Sequence, residues 1–262
     1  MNIKNKVVLV TGGSGGLGEQ ICYEAAKQGA IVVTCARRLP EIEKVKEECQ
    51  RLSKRAAYAF SLDVSDPDSV EQLYEKVIAE VGKVDILVNN AGFGIFEDFL
   101  DFDMKKAYQM FEVNVLGMMV LTQKFAIDMA ERKSGHIINI ASMAGKMATA
   151  KSTVYSATKF AVLGFSNALR LELKSFGIPV TTVNPGPIKT DFFGKADPSG
   201  DYLEKVDFIV LDAERLARTI VRAMRFPKRE INQPMIMEAA ARFYVLFPRI
   251  GDYLASGVFN KK

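Results

Sequence analysis

With 262 residues, 48% hydrophobic and 25% charged, the chain has the composition of an ordinary globular protein. Its length suits one large α/β domain that folds without a metal or disulfide staple. A formal charge of +4, from 35 Lys plus Arg against 31 Asp plus Glu, is spread too thinly to imply a nucleic-acid partner.

The first residues, MNIKNKVVLV, run straight into an apolar strand with no hydrophobic leader or cleavage site, so a cytoplasmic location is expected. Strands are expected at Val7–Val10, Ile31–Cys35, Ala56–Ser61, Ile86–Val88, Ile137–Ile140 and Val180–Val183, with helical patterns at 17–28, 40–52, 67–81, 103–132 and 153–175. Asp66 can cap the third helix, and Pro67 suits its first turn. Nearly all-apolar strands alternating with helices predict a doubly wound parallel sheet, covered on both faces, in one domain. After Val183 the turn Asn184-Pro185-Gly186-Pro187 opens a polar stretch, and 186–212 reads as a substrate lid. A helix at 213–226 and a seventh strand near Glu230–Gln233 follow. From 234 to 262 runs an apolar tail interrupted by Pro248 and Gly251. No run of about 18 apolar residues occurs, so no membrane-spanning helix is expected. Cys22, Cys35 and Cys49 are too far apart for a CxxC metal site and odd in number for a disulfide framework, which fits a reducing compartment. His136 is the single histidine, which excludes His-based triads, zinc proteases and most His-metal centres.

Directly after the first strand stand Gly12, Gly13, Ser14, Gly15, Gly16, Leu17 and Gly18, leading into a helix. Glycine allows a tight turn and a close backbone approach to a pyrophosphate, and the helix start offers that anion its free N–H groups. The position between strand and helix is what makes the cluster read as dinucleotide binding. At the end of the second strand Cys35-Ala36-Arg37-Arg38 lacks the carboxylate that would hold the ribose hydroxyl of NAD. Arg37 and Arg38 can pair with a 2′-phosphate, so NADP(H) is the expected cofactor. Asn89, Asn90, Ala91 and Gly92 follow the fourth strand, at the strand end where such sheets bind ligands.

Tyr155 and Lys159 lie four apart on one helical face. A phenol titrates near pH 10, and bringing it to neutrality takes roughly 4 kcal/mol, which a nearby ammonium in a dry cleft can supply. Ser142, at the end of the fifth strand, stands at the same rim and could polarise a substrate carbonyl.

Taken in order, TGGSGGLG at 11–18, NNAG at 89–92, Asn114, Ser142, YSATK at 155–159 and PGPIKTDF at 185–192 resemble the short-chain dehydrogenase/reductase family, and its single-domain branch in particular. The resemblance implies a Rossmann sheet of seven strands and hydride transfer between a nicotinamide and a carbonyl or secondary alcohol. It implies that Tyr155 is the general acid of the reduction. Lys159 would lower its pKa and hold the nicotinamide ribose, and Ser142 would orient the carbonyl. Asn114 would anchor a water in a proton relay. Asp63 and Val64 would contact the adenine, and Asn90 the adenosine ribose. Pro185, Gly186, Ile188 and Thr190 would complete the cofactor site, the last two at the nicotinamide end. A homodimer or homotetramer is also implied, although the tail departs from the Gly-Gly turn on which the family's tetramers rest.

Phe93, Met143, Met147, Phe192 and Phe193 form an apolar pocket set that favours a medium or bulky apolar carbonyl. The tail can cover this cleft, form a dimer contact, or touch a membrane through Phe243, Tyr244, Leu246, Phe247 and Leu254, assisted by Arg242, Arg249, Lys261 and Lys262. Two other functions compete: an NADP(H)-binding redox sensor with little turnover, and an epimerase or dehydratase. The first has no need of Ser142, Tyr155, Lys159 and Asn114 together. The second belongs to longer chains with an added substrate domain.

Overall fold

The computed structural model describes residues 2–196 and 209–256. In β1, Val7–Thr11, all five residues are buried, and the pleat sends successive side chains to opposite faces. Val8 and Val10 join one apolar cluster, with residues of α1 (Gly16–Lys27), α2 (Leu39–Ser53) and α8 (Ala213–Arg225). Val7 and Leu9 join a second, with residues of α3 (Pro67–Glu80) and α5 (Met118–Glu131) and with Leu169 of α6 (Thr153–Glu172). A strand apolar on both faces must be covered twice, and the helices do so.

The remaining strands are β2 (Ile31–Ala36), β3 (Ala57–Ser61), β4 (Ile86–Asn89), β5 (His136–Ile140), β6 (Val180–Pro185) and β7 (Glu230–Gln233). They form one seven-stranded sheet in the order β3-β2-β1-β4-β5-β6-β7, every pair parallel. The order reverses between β1 and β4, which opens a crevice at their carboxyl ends. Asp66 caps α3 by accepting from the Asp68 N–H at 3.0 Å, as its sequence position predicts.

The helix expected at 103–132 is not uniform. α4 (Met104–Phe111) and α5 are joined by a π-helical turn, Glu112–Gly117, and such turns gather at functional sites. Here the turn carries Asn114 and presses Gly117 against the Val64 carbonyl, where a Cβ would overlap it. The run 104–131 is long and apolar enough to cross a bilayer, contrary to the expectation from the sequence, but half of its apolar window is buried. Leu121, Phe125 and Met129 lie in the sheet's core, so it is a core helix.

His136 is fully buried in β5. Its Nε2 lies 2.9 Å from Thr181 Oγ1, and that hydroxyl donates to the Lys228 carbonyl at 2.6 Å. The hydroxyl proton is thus committed, and Nε2 carries the imidazole proton. Burial pushes the imidazole down to about 4.

The expected lid is described at its two ends, including α7 (Asp191–Ala196), while 197–208 lie outside the described residues. The tail forms two helices, α9 (Met235–Leu246) and α10 (Pro248–Ser256), with 257–262 outside. Pro248 begins a helix, as a proline can. Gly251 does not interrupt one: it is buried against the Tyr244 ring, where a Cβ would overlap.

Candidate active site and cofactor cleft

The loop after β1 turns through left-handed backbone at Gly12 (φ 66°) and Gly16 (φ 58°), conformations that glycine adopts without strain. It leads directly into α1, whose first turn has N–H groups without partners inside the helix. Thr11 ties the two strand ends together: its hydroxyl accepts from the Asn90 and Ala91 N–H groups, both at 3.0 Å. The Asn90 amide returns the contact by donating to the Thr11 and Gly12 carbonyls at 3.0 and 3.2 Å. Thr190, beyond β6, stands across from Gly16, its Cβ 3.4 Å from where a Cβ on that glycine would lie. Ser14, Gly15, Leu17 and Gly18 complete this cradle, so the glycine loop, the NNAG segment and the start of the lid converge on one crevice.

The two arginines diverge. Arg38 reaches back over the loop, its Nη2 donating to Ser14 Oγ at 3.1 Å. Arg37 faces Asp63 at the end of β3. The Asp63 carboxyl is held below its usual range first by hydrogen bonds from Ser65, with the Arg37 charge adding to them. Val64 lies beneath Gly117. Ile188 turns inward, pairs with Leu211 and packs against the first apolar cluster, while Gly186 N–H donates to the Gln233 carbonyl at 2.7 Å.

The group of Tyr155, Lys159 and Ser142 is built around α6. The Lys159 ammonium is buried, donates to the Ile140 carbonyl at 3.0 Å and sits 5.7 Å from the Tyr155 ring centre. Burial lowers it to about 8. Gly92 closes the other side, 3.7 Å separating Lys159 Nζ from where its Cβ would stand. Ser142 follows two residues after Ile140. Its hydroxyl accepts from the Ala144 N–H at 3.1 Å and faces the Pro185 carbonyl at 3.4 Å. Asn114 clamps the loop beyond β4: Oδ1 accepts from Phe93 N–H at 2.9 Å, and Nδ2 donates to the Phe93 carbonyl at 2.8 Å and to Thr158 Oγ1 at 3.2 Å. Thr158 in turn donates to the Tyr155 carbonyl at 2.7 Å. The amide thus fixes the turn of α6 that bears both Tyr155 and Lys159.

Apolar side chains enclose the phenol. Phe96 meets it edge-on with ring centres 5.5 Å apart, and Phe192 of α7 lies 5.9 Å away. Gly94 sits against both rings: an added Cβ would be 2.9 Å from Phe192 and from Tyr155. The Phe96 N–H donates to the Ala196 carbonyl at 2.9 Å, so the lid's first helix docks on the loop that carries Phe93 and Phe96. Of the expected pocket residues, Phe93 and Phe192 pack with Tyr155. Met143 is buried, Met147 is half-buried, and the Phe193 side chain lies outside what is described.

Sequence reading missed Thr11, Gly94, Phe96 and Thr158. The first and last stand inside the TGGSGGLG and YSATK motifs, where no role was read for them, and no spacing rule marks the other two. It also missed Lys146, which follows Ser142 by four residues and bridges Glu230 at 2.6 Å and Glu238 at 3.0 Å.

The family profile described as short chain dehydrogenase matches residues 6–200. An uncharacterized oxidoreductase of Staphylococcus saprophyticus is 32% identical over 247 residues, covering 92% of this chain and 98% of that protein. The human dehydrogenase/reductase SDR family member 7 is 36% identical over 193 residues, 72% of this chain but only 57% of that longer protein. Among solved structures, the closed form of a serine dehydrogenase complexed with NADP+ is 30% identical with a TM-score of 0.80, covering 87% of this chain and 94% of that one. With its sheet order, its glycine loop and its Ser142, Tyr155 and Lys159, the chain belongs to the short-chain dehydrogenase family of oxidoreductases.

Proposed function

We propose that the protein is an NADP(H)-dependent oxidoreductase that interconverts an apolar carbonyl compound and its secondary alcohol, with Tyr155 as general acid and base. The observation that carries this reading is the buried Lys159 ammonium beside the Tyr155 ring, at the crevice where the glycine loop ends. NADP(H) supplies the hydride when bound. The residues present fit it: Gly12 to Gly18 leave room for a pyrophosphate, Lys159 can hold a ribose hydroxyl, and Arg37 and Arg38 flank the end of β2, which carries no carboxylate of its own. A guanidinium pair there favours a 2′-phosphate, and the related serine dehydrogenase was crystallised with NADP+.

In the direction of reduction, the Tyr155 hydroxyl gives its proton to the carbonyl oxygen and becomes a phenolate. The neighbouring Lys159 charge stabilises that anion in a site with little water to screen it. Ser142 donates to the same oxygen and orients it. Asn114 and Thr158 keep the donor and its cation in register. Phe93, Phe96 and Phe192 exclude water and favour a bulky apolar group next to the reacting carbon.

Turnover of NADPH and NADH with a panel of bulky apolar ketones and aldehydes tests the assignment. We expect reduction of some of them with kcat/KM at least about tenfold higher for NADPH, a preference worth roughly 1.4 kcal/mol, and expect Arg38→Glu to reverse it. Equal or better efficiency with NADH would overturn the cofactor assignment.

A further inference from the structure

Ser142 opens a short helical turn, Met143–Gly145, and Lys146 ends it. The Ala144 N–H donates to the Ser142 hydroxyl at 3.1 Å. The Gly145 and Lys146 N–H groups donate to the Ser142 and Met143 carbonyls, both at 2.9 Å. The turn thus closes on Ser142, and where the turn sits decides where the hydroxyl points. A single turn has little stability of its own, so its neighbours must hold it.

Two neighbours do. On one side Gly145 lies against α6, where an added Cβ would come within 2.6 Å of the Lys159 carbonyl oxygen. On the other side the Lys146 ammonium donates to Glu230 of β7 at 2.6 Å and to Glu238 of α9 at 3.0 Å. These three side chains are between 15% and 22% exposed. Both carboxylates are fixed in turn: Glu230 Oε2 also accepts from Asn232 at 3.3 Å, and Glu238 Oε1 accepts from Arg242 at 2.8 Å. Asn232 is itself tied to Asn184 of β6 at 2.6 Å. An exposed ion pair would position little. One ammonium shared by two largely buried carboxylates on separate elements fixes the end of the turn from two directions.

A second contact brings the same segment to the other flank of Ser142. The Ser142 hydroxyl faces the Pro185 carbonyl at 3.4 Å, and the next residue, Gly186, donates its N–H to the Gln233 carbonyl at 2.7 Å. An added Cβ on Gly186 would lie 2.7 Å from Met237 Sδ and 2.9 Å from Pro234 Cδ. Residues 230–238 therefore hold both sides of that hydroxyl, Lys146 by charge and Gly186 by packing. We propose that Lys146 is a positioning residue: clamped by Glu230 and Glu238, it holds the turn that aims Ser142, and through it α9 helps to set the orientation of the substrate carbonyl. The inference rests on the reading of Ser142 given above.

The test is a double-mutant cycle in single-turnover reduction of the best-reduced ketone of the panel by bound NADPH. Lys146→Met is expected to slow the step by about tenfold, within the range of a misplaced orienting group, with NADPH Kd changed by less than about twofold. Lys146→Arg keeps a cation that reaches both carboxylates and should recover to within about threefold of wild type. In a Ser142→Ala background, Lys146→Met should cost no more than about twofold, because the group it positions is gone. An equal loss in both backgrounds would overturn the positioning role and leave the reading of Ser142 intact. A Ser142→Ala variant as fast as wild type would overturn that reading, and the inference with it. Amide hydrogen exchange supplies an arm that needs no substrate. Lys146→Met should speed exchange at Ala144, Gly145 and Lys146→Arg should not, while the amides of β5 stay unchanged in both. Wild-type exchange across the turn in Lys146→Met would overturn the proposal.

Discussion

Lys159 has two effects that oppose each other. Its ammonium is buried and lowered to about 8 by the loss of water, so the folded protein pays for a charge that the unfolded chain solvates freely. At pH 7 a group with this pKa is still about nine-tenths protonated, and the charge is present when Tyr155 needs it. Lys159→Met should therefore abolish reduction and raise the melting temperature at pH 7. The gain is at most about 3 kcal/mol from the shift, less about 1 kcal/mol for the Ile140 carbonyl left without its donor. A lowered melting temperature in thermal denaturation would contradict this account of the buried charge. The same pKa predicts that kcat for reduction falls as pH rises through about 8, where the ammonium is lost, and a flat profile from pH 7 to 9 would contradict it.

At the scale of elements, β5 carries the chain's one imidazole in a dry position. The folded pKa of His136, about 4, lies below the ordinary value of 6.5. The unfolded state therefore binds the proton more readily, and folding stability rises with pH across that interval. The contribution is complete above pH 6.5 and is lost as pH falls towards 4, about 3 kcal/mol at the upper limit. His136→Asn should flatten the pH dependence of the urea midpoint between 6.5 and 4, and an unchanged slope would show that the imidazole is not buried neutral. The elements themselves were largely legible in the sequence. Val7–Val10 and Ile31–Val33 are apolar because both faces of the sheet are covered, and Asp66-Pro67 marks a helix start by local chemistry alone. The π-helical turn at Glu112–Gly117 was not legible, because its cause is tertiary: Asn114 reaching Phe93 and Thr158, and Gly117 reaching Val64. Gly251 misled for a similar reason. A glycine reads as a break by propensity, yet here it makes room for Tyr244.

Across the whole molecule, the site was legible wherever a strand end carries a motif, and obscure wherever residues meet by folding. Ser142, Tyr155, Lys159 and the glycine loop announce themselves by spacing. Gly94 and Phe96 do not, since it is the packing of the loop beyond β4 against α6 and α7 that brings them onto Tyr155. Lys146 belongs to the second kind. It joins the turn after Ser142 to Glu230 of β7 and Glu238 of α9. Although burial works against their charge, the hydrogen bonds it donates help to hold both carboxylates below the ordinary range. Lys146→Met leaves Glu230 with Arg229 at 3.6 Å and Glu238 with Arg242 at 2.8 Å but removes the cation they share, so a loss of about 1 kcal/mol in stability is expected. An unchanged denaturation midpoint would show that the tail is held by packing alone.

The central claim is that Tyr155 delivers the proton. It is tested most directly by comparing wild type with Tyr155→Phe in single-turnover reduction of an apolar ketone by bound NADPH. The account predicts unchanged NADPH affinity and a rate lower by about a thousandfold, the scale of a lost general acid. A variant that reduces the ketone at close to the wild-type rate would contradict it.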